Sequence, residues 1–143
     1  MPNRIPIRIR EQGKAYATCQ GPIRTPEDVA RAIRGFIGDD KREYFLVLHL
    51  NTRHYVETIH VISIGSLDCS IVHPREVFRL AVMNATARIM LAHNHPSGNQ
   101  EPSEDDMDIT RRLDQAGELL GITVLDHIIV GTGCYSFKEN GKL

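Results

Sequence analysis

Residues 87–95, ARIMLAHNH, constrain this chain more than any other stretch. The apolar run reads as a strand, and it ends in His93-Asn94-His95. Pro96, Ser97 and Gly98 follow at once and turn the chain away. Side chains two apart on a strand share a face. His93 and His95 are therefore expected to point the same way, with Asn94 on the opposite face.

The flanking pattern places this strand in a sheet. EYFLVLHLN (43–51) and YVETIHVISIG (55–65) read as two strands joined by the short hairpin-like connection TRH. Thr25 is a good helix N-cap, with Pro26 at the first helical position and Glu27 and Asp28 in the first turn. Val29, Ile33, Phe36 and Ile37 give that helix one apolar face, and GDD at 38–40 ends it. A second helix is expected over 73–85, opening at Pro74, with apolar positions at Val77, Phe78, Ala81 and Val82. Ser103 caps a third, running to about Leu120. Its apolar positions are Met107, Ile109, Leu113, Ala116, Leu119 and Leu120, and Gly121 stops it. ITVLDHIIVG and CYSFKE read as the last strands. The expected class is α/β (α+β), a mixed sheet with helices packed against it.

A chain of 143 residues suits one domain. Residues 1–24 read as an N-terminal extension, with strand-like alternation of Ile5, Ile7 and Ile9; residues 25–143 read as the domain itself. A net charge of -1 leaves no bulk basic field to recruit nucleic acid. No apolar run approaches the roughly 20 residues that span a bilayer, and the N-terminus has no apolar core of a secretory signal. Cys19, Cys69 and Cys134 are far apart and odd in number, so they read as buried small hydrophobes rather than disulfide partners or zinc thiolates. A cytoplasmic protein without a membrane role is expected.

The chemistry lies after the histidines. If Ser103 starts a helix, Asp106 falls in its first turn and returns toward His93 and His95. Two imidazoles and a carboxylate with a fourth position open are the makeup of a hydrolytic zinc site, though iron and manganese suit the same ligand types. Plainer readings exist for each part. Ser-x-x-Asp is also a capping-box variant. A lone His-x-His is usually two unrelated histidines. Glu43, just after DDKR at a strand start, is by default a solvated charge. The specific signal is the combination His-x-His-x(7)-Ser-x(2)-Asp with an upstream glutamate.

That combination matches the JAMM motif of the MPN/JAB metalloprotease superfamily. VHPREVF, LAHNHPSGN, PSEDDMDITRRL, LLGITVLDHIIVG and the Glu43-led strand further resemble the RadC family, over about residues 25–138. The resemblance implies a single JAB/MPN-like (cytidine-deaminase-like) domain. It implies His93, His95 and Asp106 as ligands of one Zn2+ per chain, Glu43 as the base for a water at the metal, and Ser103 as a donor to the developing oxyanion. The implied activity is a zinc metallopeptidase or isopeptidase with a protein or peptide substrate. The alternative is a DNA repair or recombination factor or a metal-dependent nuclease. Longer RadC proteins carry an N-terminal helix-hairpin-helix region, and this chain is expected to be a short form without it.

Other residues take lesser expectations. Asn94 and Ser97 read as support for the turn and loop beside the metal. His127, next to Asp126, reads as a satisfied structural histidine, or as a group backing a ligand. Ser66 and Ser70 are placed near the site by family analogy. Arg111 and Arg112 read as an exposed helix face or as contacts for a substrate tail.

Overall fold

The structure, a computed structural model, describes residues 15–16, 21–65 and 72–143. The elements run β1 (Ala15–Tyr16), α1 (Pro26–Ile37), β2 (Tyr44–Leu50), β3 (Val56–Ile64), α2 (Pro74–Met83), β4 (Arg88–Asn94), α3 (Glu104–Leu120), β5 (Thr123–Val130) and β6 (Cys134–Ser136). The six described strands form one sheet in the order β1-β3-β2-β4-β5-β6. Among the described residues, only β4 and β5 pair in parallel, bridged by α3, and every other pair is antiparallel. The mixed sheet expected from the sequence is present.

β2 explains the layering. All seven of its residues are buried, as befits a strand covered on both faces. Leu46, Leu48 and Leu50 pack with Val29, Ala30 and Ile33 of α1 on one side. Phe45 and Val47 pack with Val77 and Phe78 of α2 and Ile109 and Leu113 of α3 on the other. Strand alternation thus separates two apolar layers with one sheet between them.

The helix ends follow local chemistry. Thr25 accepts the Asp28 N–H, and the Asp28 carboxylate accepts the Thr25 N–H in return, a capping box at the start of α1. α3 ends at Gly121, whose φ of 72° and ψ of 24° lie in the left-handed region that favours glycine.

Three expectations are corrected. Val82 is 59%, Leu119 88% and Leu120 51% exposed. The buried stripe of α3 runs through Asp106, Ile109, Thr110, Leu113 and Gly117. Leu119 falls off that stripe by helical phase. Leu120 sits in the last turn, where a shallow groove also takes in Val82 and Met83 at the end of α2.

The extension before residue 25 contributes to the sheet. Ala15 and Tyr16 pair with His60 and Ile59, and Ile23 donates to the His54 carbonyl. The Ile5–Ile9 alternation, Cys19, Ser66, Cys69 and Ser70 lie outside the described residues. Cys134 is half-buried in β6, with its Sγ 3.9 Å from a Glu27 carboxylate oxygen. Among the described residues no helix is long and apolar enough to cross a membrane.

Candidate metal centre

One end of the sheet gathers the polar residues singled out above. β4 finishes at Asn94, between the start of β2 and the end of β5. His93 is on the strand. His95 is one residue past it, yet its N–H still donates to the Val130 carbonyl at 2.8 Å. The strand-like path continues, and both rings fall on one face as expected.

α3 begins at this same end, and its first turn brings Asp106 to the histidines. His93 Nε2 lies 3.0 Å from His95 Nε2. Asp106 Oδ1 is 3.2 Å from His93 Nε2, and Oδ2 is 3.4 Å from His95 Nε2. Ligands bound tetrahedrally to zinc at their usual bond lengths stand about 3.3 Å apart, so these spacings suit an ion of that kind. Among the described residues, His93, His95 and Asp106 form a cluster able to hold a metal ion.

The capping and ligand readings of Asp106 are both realised. Ser103 Oγ accepts the Asp106 N–H at 3.1 Å, and Asp106 Oδ2 accepts the Ser103 N–H at 2.8 Å. The box locks the carboxylate while it faces the histidines. Burial raises the Asp106 carboxyl, but the adjacent His93 ring and the Ser103 bonds outweigh it. The group is held well below the usual carboxylate range.

The loop after His95 fixes that ring. His95 Nδ1 is 2.7 Å from the Asn99 carbonyl, which can only accept, so Nδ1 carries the proton and Nε2 keeps its lone pair. Ser97 Oγ accepts the Asn99 N–H at 3.3 Å, inside the same loop. The turn between β5 and β6 holds the loop in place. Thr132 N–H donates to the Gly98 carbonyl at 2.8 Å, and Gly133 N–H donates to Gln100 Oε1 at 2.9 Å. A Cβ at Gly131 would stand 2.4 Å from the Gly98 carbonyl oxygen, so this contact requires glycine. Arg34 of α1 braces the turn: its Nη2 is 3.2, 3.1 and 3.1 Å from the Gly131, Thr132 and Gly133 carbonyls.

Glu43 is half-buried and lies just before β2. Phe45 pairs with His93, so continuing the antiparallel register by two sets Glu43 opposite His95. Asn94 faces away from the cluster, as expected, and grips the backbone on both sides of Glu43. It accepts from the Tyr44 N–H at 2.6 Å and donates to the Arg42 carbonyl at 3.0 Å.

Behind the cluster lies a residue the sequence left undecided. His127 is fully buried on β5, with Nε2 2.7 Å from His93 Nδ1. Its Nδ1 is 2.6 Å from Thr110 Oγ1, which sequence reasoning missed. Thr110 lies four residues after Asp106, and that spacing on α3 was the available signal. His127 stacks on Phe137 with ring centres 4.6 Å apart. Arg111 is exposed and pairs with Asp108 at 2.9 Å, as a solvated helix face does.

A mixed sheet whose central strand ends in His-x-His, set against the capped start of a helix carrying aspartate, is the architecture of a JAB-type domain. The chain belongs to the RadC-like JAB domain family, whose model matches residues 23–142. It is 50% identical over 121 residues to the UPF0758 protein of Rubrobacter xylanophilus, covering 85% of this chain and 53% of the relative. It is 51% identical over 122 residues to that of Alkaliphilus metalliredigens, covering 85% and 53%. With the UPF0758 protein of Methanosarcina mazei it shares 46% over 120 residues, covering 83% and 52%. The chain spans about half the length of the curated relatives it matches.

Proposed function

We propose that this domain is a zinc-dependent hydrolase of peptide or isopeptide bonds. The observation that carries the reading is the convergence of two imidazoles and one ionised, buried carboxylate at an end of the sheet. The donor set fits a divalent ion of intermediate softness, with His93, His95 and Asp106 as its ligands. Bound there, zinc supplies Lewis acidity, which brings the pKa of a water to about 7 and polarises a carbonyl.

The chain's own groups do the rest. Glu43 takes a proton from the attacking water and returns it to the leaving nitrogen as the carbon–nitrogen bond breaks. Ser103 accepts the Asp106 N–H through Oγ, which leaves its hydroxyl hydrogen to donate to the carbonyl oxygen as that atom gains charge. Asn94 holds the backbone around Glu43, and the capping box holds Asp106.

The test is a screen of zinc-loaded protein against ubiquitin-like conjugates, peptide libraries and nucleic acids, with Glu43→Gln as control. Cleavage of an amide or isopeptide bond by wild type alone supports the reading. Cleavage of nucleic acid alone, or equal activity in the variant, overturns it.

A further inference from the structure

We infer that Thr110 and His127 place the proton of His93 on Nδ1 and so turn its Nε2 lone pair toward His95 and Asp106. Both are positioning residues of the metal centre. The inference rests on the proposed metal-binding reading for its purpose, and on hydrogen-bond geometry and burial for its direction.

The direction starts at a carbonyl. Thr110 Oγ1 lies 2.7 Å from the main-chain oxygen of Asp106. That oxygen has no hydrogen, so the hydroxyl hydrogen must point at it. Thr110 Oγ1 then has only lone pairs to offer elsewhere. His127 Nδ1 stands 2.6 Å from the same oxygen, so Nδ1 must carry a hydrogen and donate.

The next link depends on how many protons His127 holds. Its ring is fully buried, against Phe137 on one side and the edge of Phe45 on another. Its two ring nitrogens face Thr110 Oγ1 and His93 Nδ1, so a second proton would leave a buried charge with no carboxylate to pair it, and the ring holds one proton. With that proton on Nδ1, His127 Nε2 is an acceptor. His93 Nδ1 lies 2.7 Å away and must be the donor. His93 Nε2 is left bare, and it is the atom 3.0 Å from His95 Nε2 and 3.2 Å from Asp106 Oδ1.

The reverse arrangement fails at the far end. With His93 neutral, as a metal ligand must be, a proton on its Nε2 would need His127 to donate from its own Nε2. Its bare Nδ1 would then face a hydroxyl oxygen whose hydrogen is already directed at Asp106. The relay also closes on itself, because it ends at the main chain of Asp106, the residue whose carboxylate shares the cluster. One turn of α3 therefore supplies both a carboxylate and the orientation of the histidine beside it.

The experiment uses protein labelled with 15N at histidine, read by ring nitrogen–proton correlations with and without zinc. Zinc affinity is measured alongside by chelator competition, for wild type, Thr110→Val and Thr110→Ser. The expected result is Nδ1–H on both His93 and His127 in wild type. Thr110→Val should lose that signature and bind zinc about 10- to 100-fold more weakly, while Thr110→Ser restores both. A wild-type His127 carrying its proton on Nε2 overturns the inference, as does Thr110→Val with unchanged ring signals and zinc affinity. Wild type that takes up no zinc counts against the proposed function, and the ring signals still decide the relay.

Discussion

The Asn94 side chain accepts the Tyr44 N–H at 2.6 Å and ties the start of β2 to the end of β4 next to Glu43. Its amide also reaches the Arg42 carbonyl, so one side chain fixes the backbone before and after the proposed base. Asn94→Ala should leave zinc affinity nearly intact, because Asn94 faces away from the cluster. Turnover should fall, by up to about a hundredfold if Glu43 shifts by roughly 1 Å. Parallel zinc titration and kinetics check this, and loss of zinc binding with normal turnover in the loaded fraction would refute it.

Glu43→Gln keeps the size of the side chain and removes the proposed base. Hydrolysis should drop by about 10²- to 10⁴-fold with metal content unchanged. Lost zinc would make Glu43 a ligand, and unchanged hydrolysis would place the base elsewhere.

Ser103→Ala removes a cap and the proposed oxyanion donor together. The missing N-cap should cost about 1 kcal/mol in denaturant unfolding. The missing hydroxyl should slow turnover about a hundredfold or more. Normal turnover with lowered stability would reduce Ser103 to the capping bond it makes with Asp106.

Metal removal should be legible in the melting temperature. An ion that binds only the folded chain stabilises it by about 4 kcal/mol when present at a thousand times its Kd. Chelator-treated wild type should melt lower than zinc-loaded protein, and His93→Ala should show no such difference. Equal shifts in both would place the zinc outside the cluster.

A pH dependence is expected from the other end of the sheet. His49 and His60 are buried on adjacent strands, and His49 Nε2 and His60 Nδ1 have no hydrogen-bond partner among the described residues. Burial pushes both down to about 4, with His49 and Arg79 adding to the effect at His60. The unfolded chain, with values near about 6.5, binds more protons between these limits. Their contribution to stability is therefore complete above the unfolded value and is lost as pH falls toward the folded one. His60→Leu should flatten the decline, by up to about 1.4 kcal/mol per pH unit in that window. Melts of both proteins across the window test this; parallel curves would rule it out.

The sequence by itself determined what depends on near neighbours along the chain. Period-two spacing set His93 and His95 on one face, and Ser103 with Asp106 announced a helix start. Thr25 and Gly121 marked helix limits from capping chemistry alone. Each of these is decided within one turn or one pleat, so adjacent residues suffice. Only the tertiary structure decided which distant groups meet. His127 touches His93 because β4 and β5 pair in parallel in one register, and a shift of one residue would turn it to the other face. Thr110 reaches His127 because α3 packs on β5, and Asn94 reaches Tyr44 because β2 enters beside β4. The sequence posed capping and ligation by Asp106 as rivals. A carboxylate has two oxygens, and the packing of α3 against the strand end lets one side chain do both.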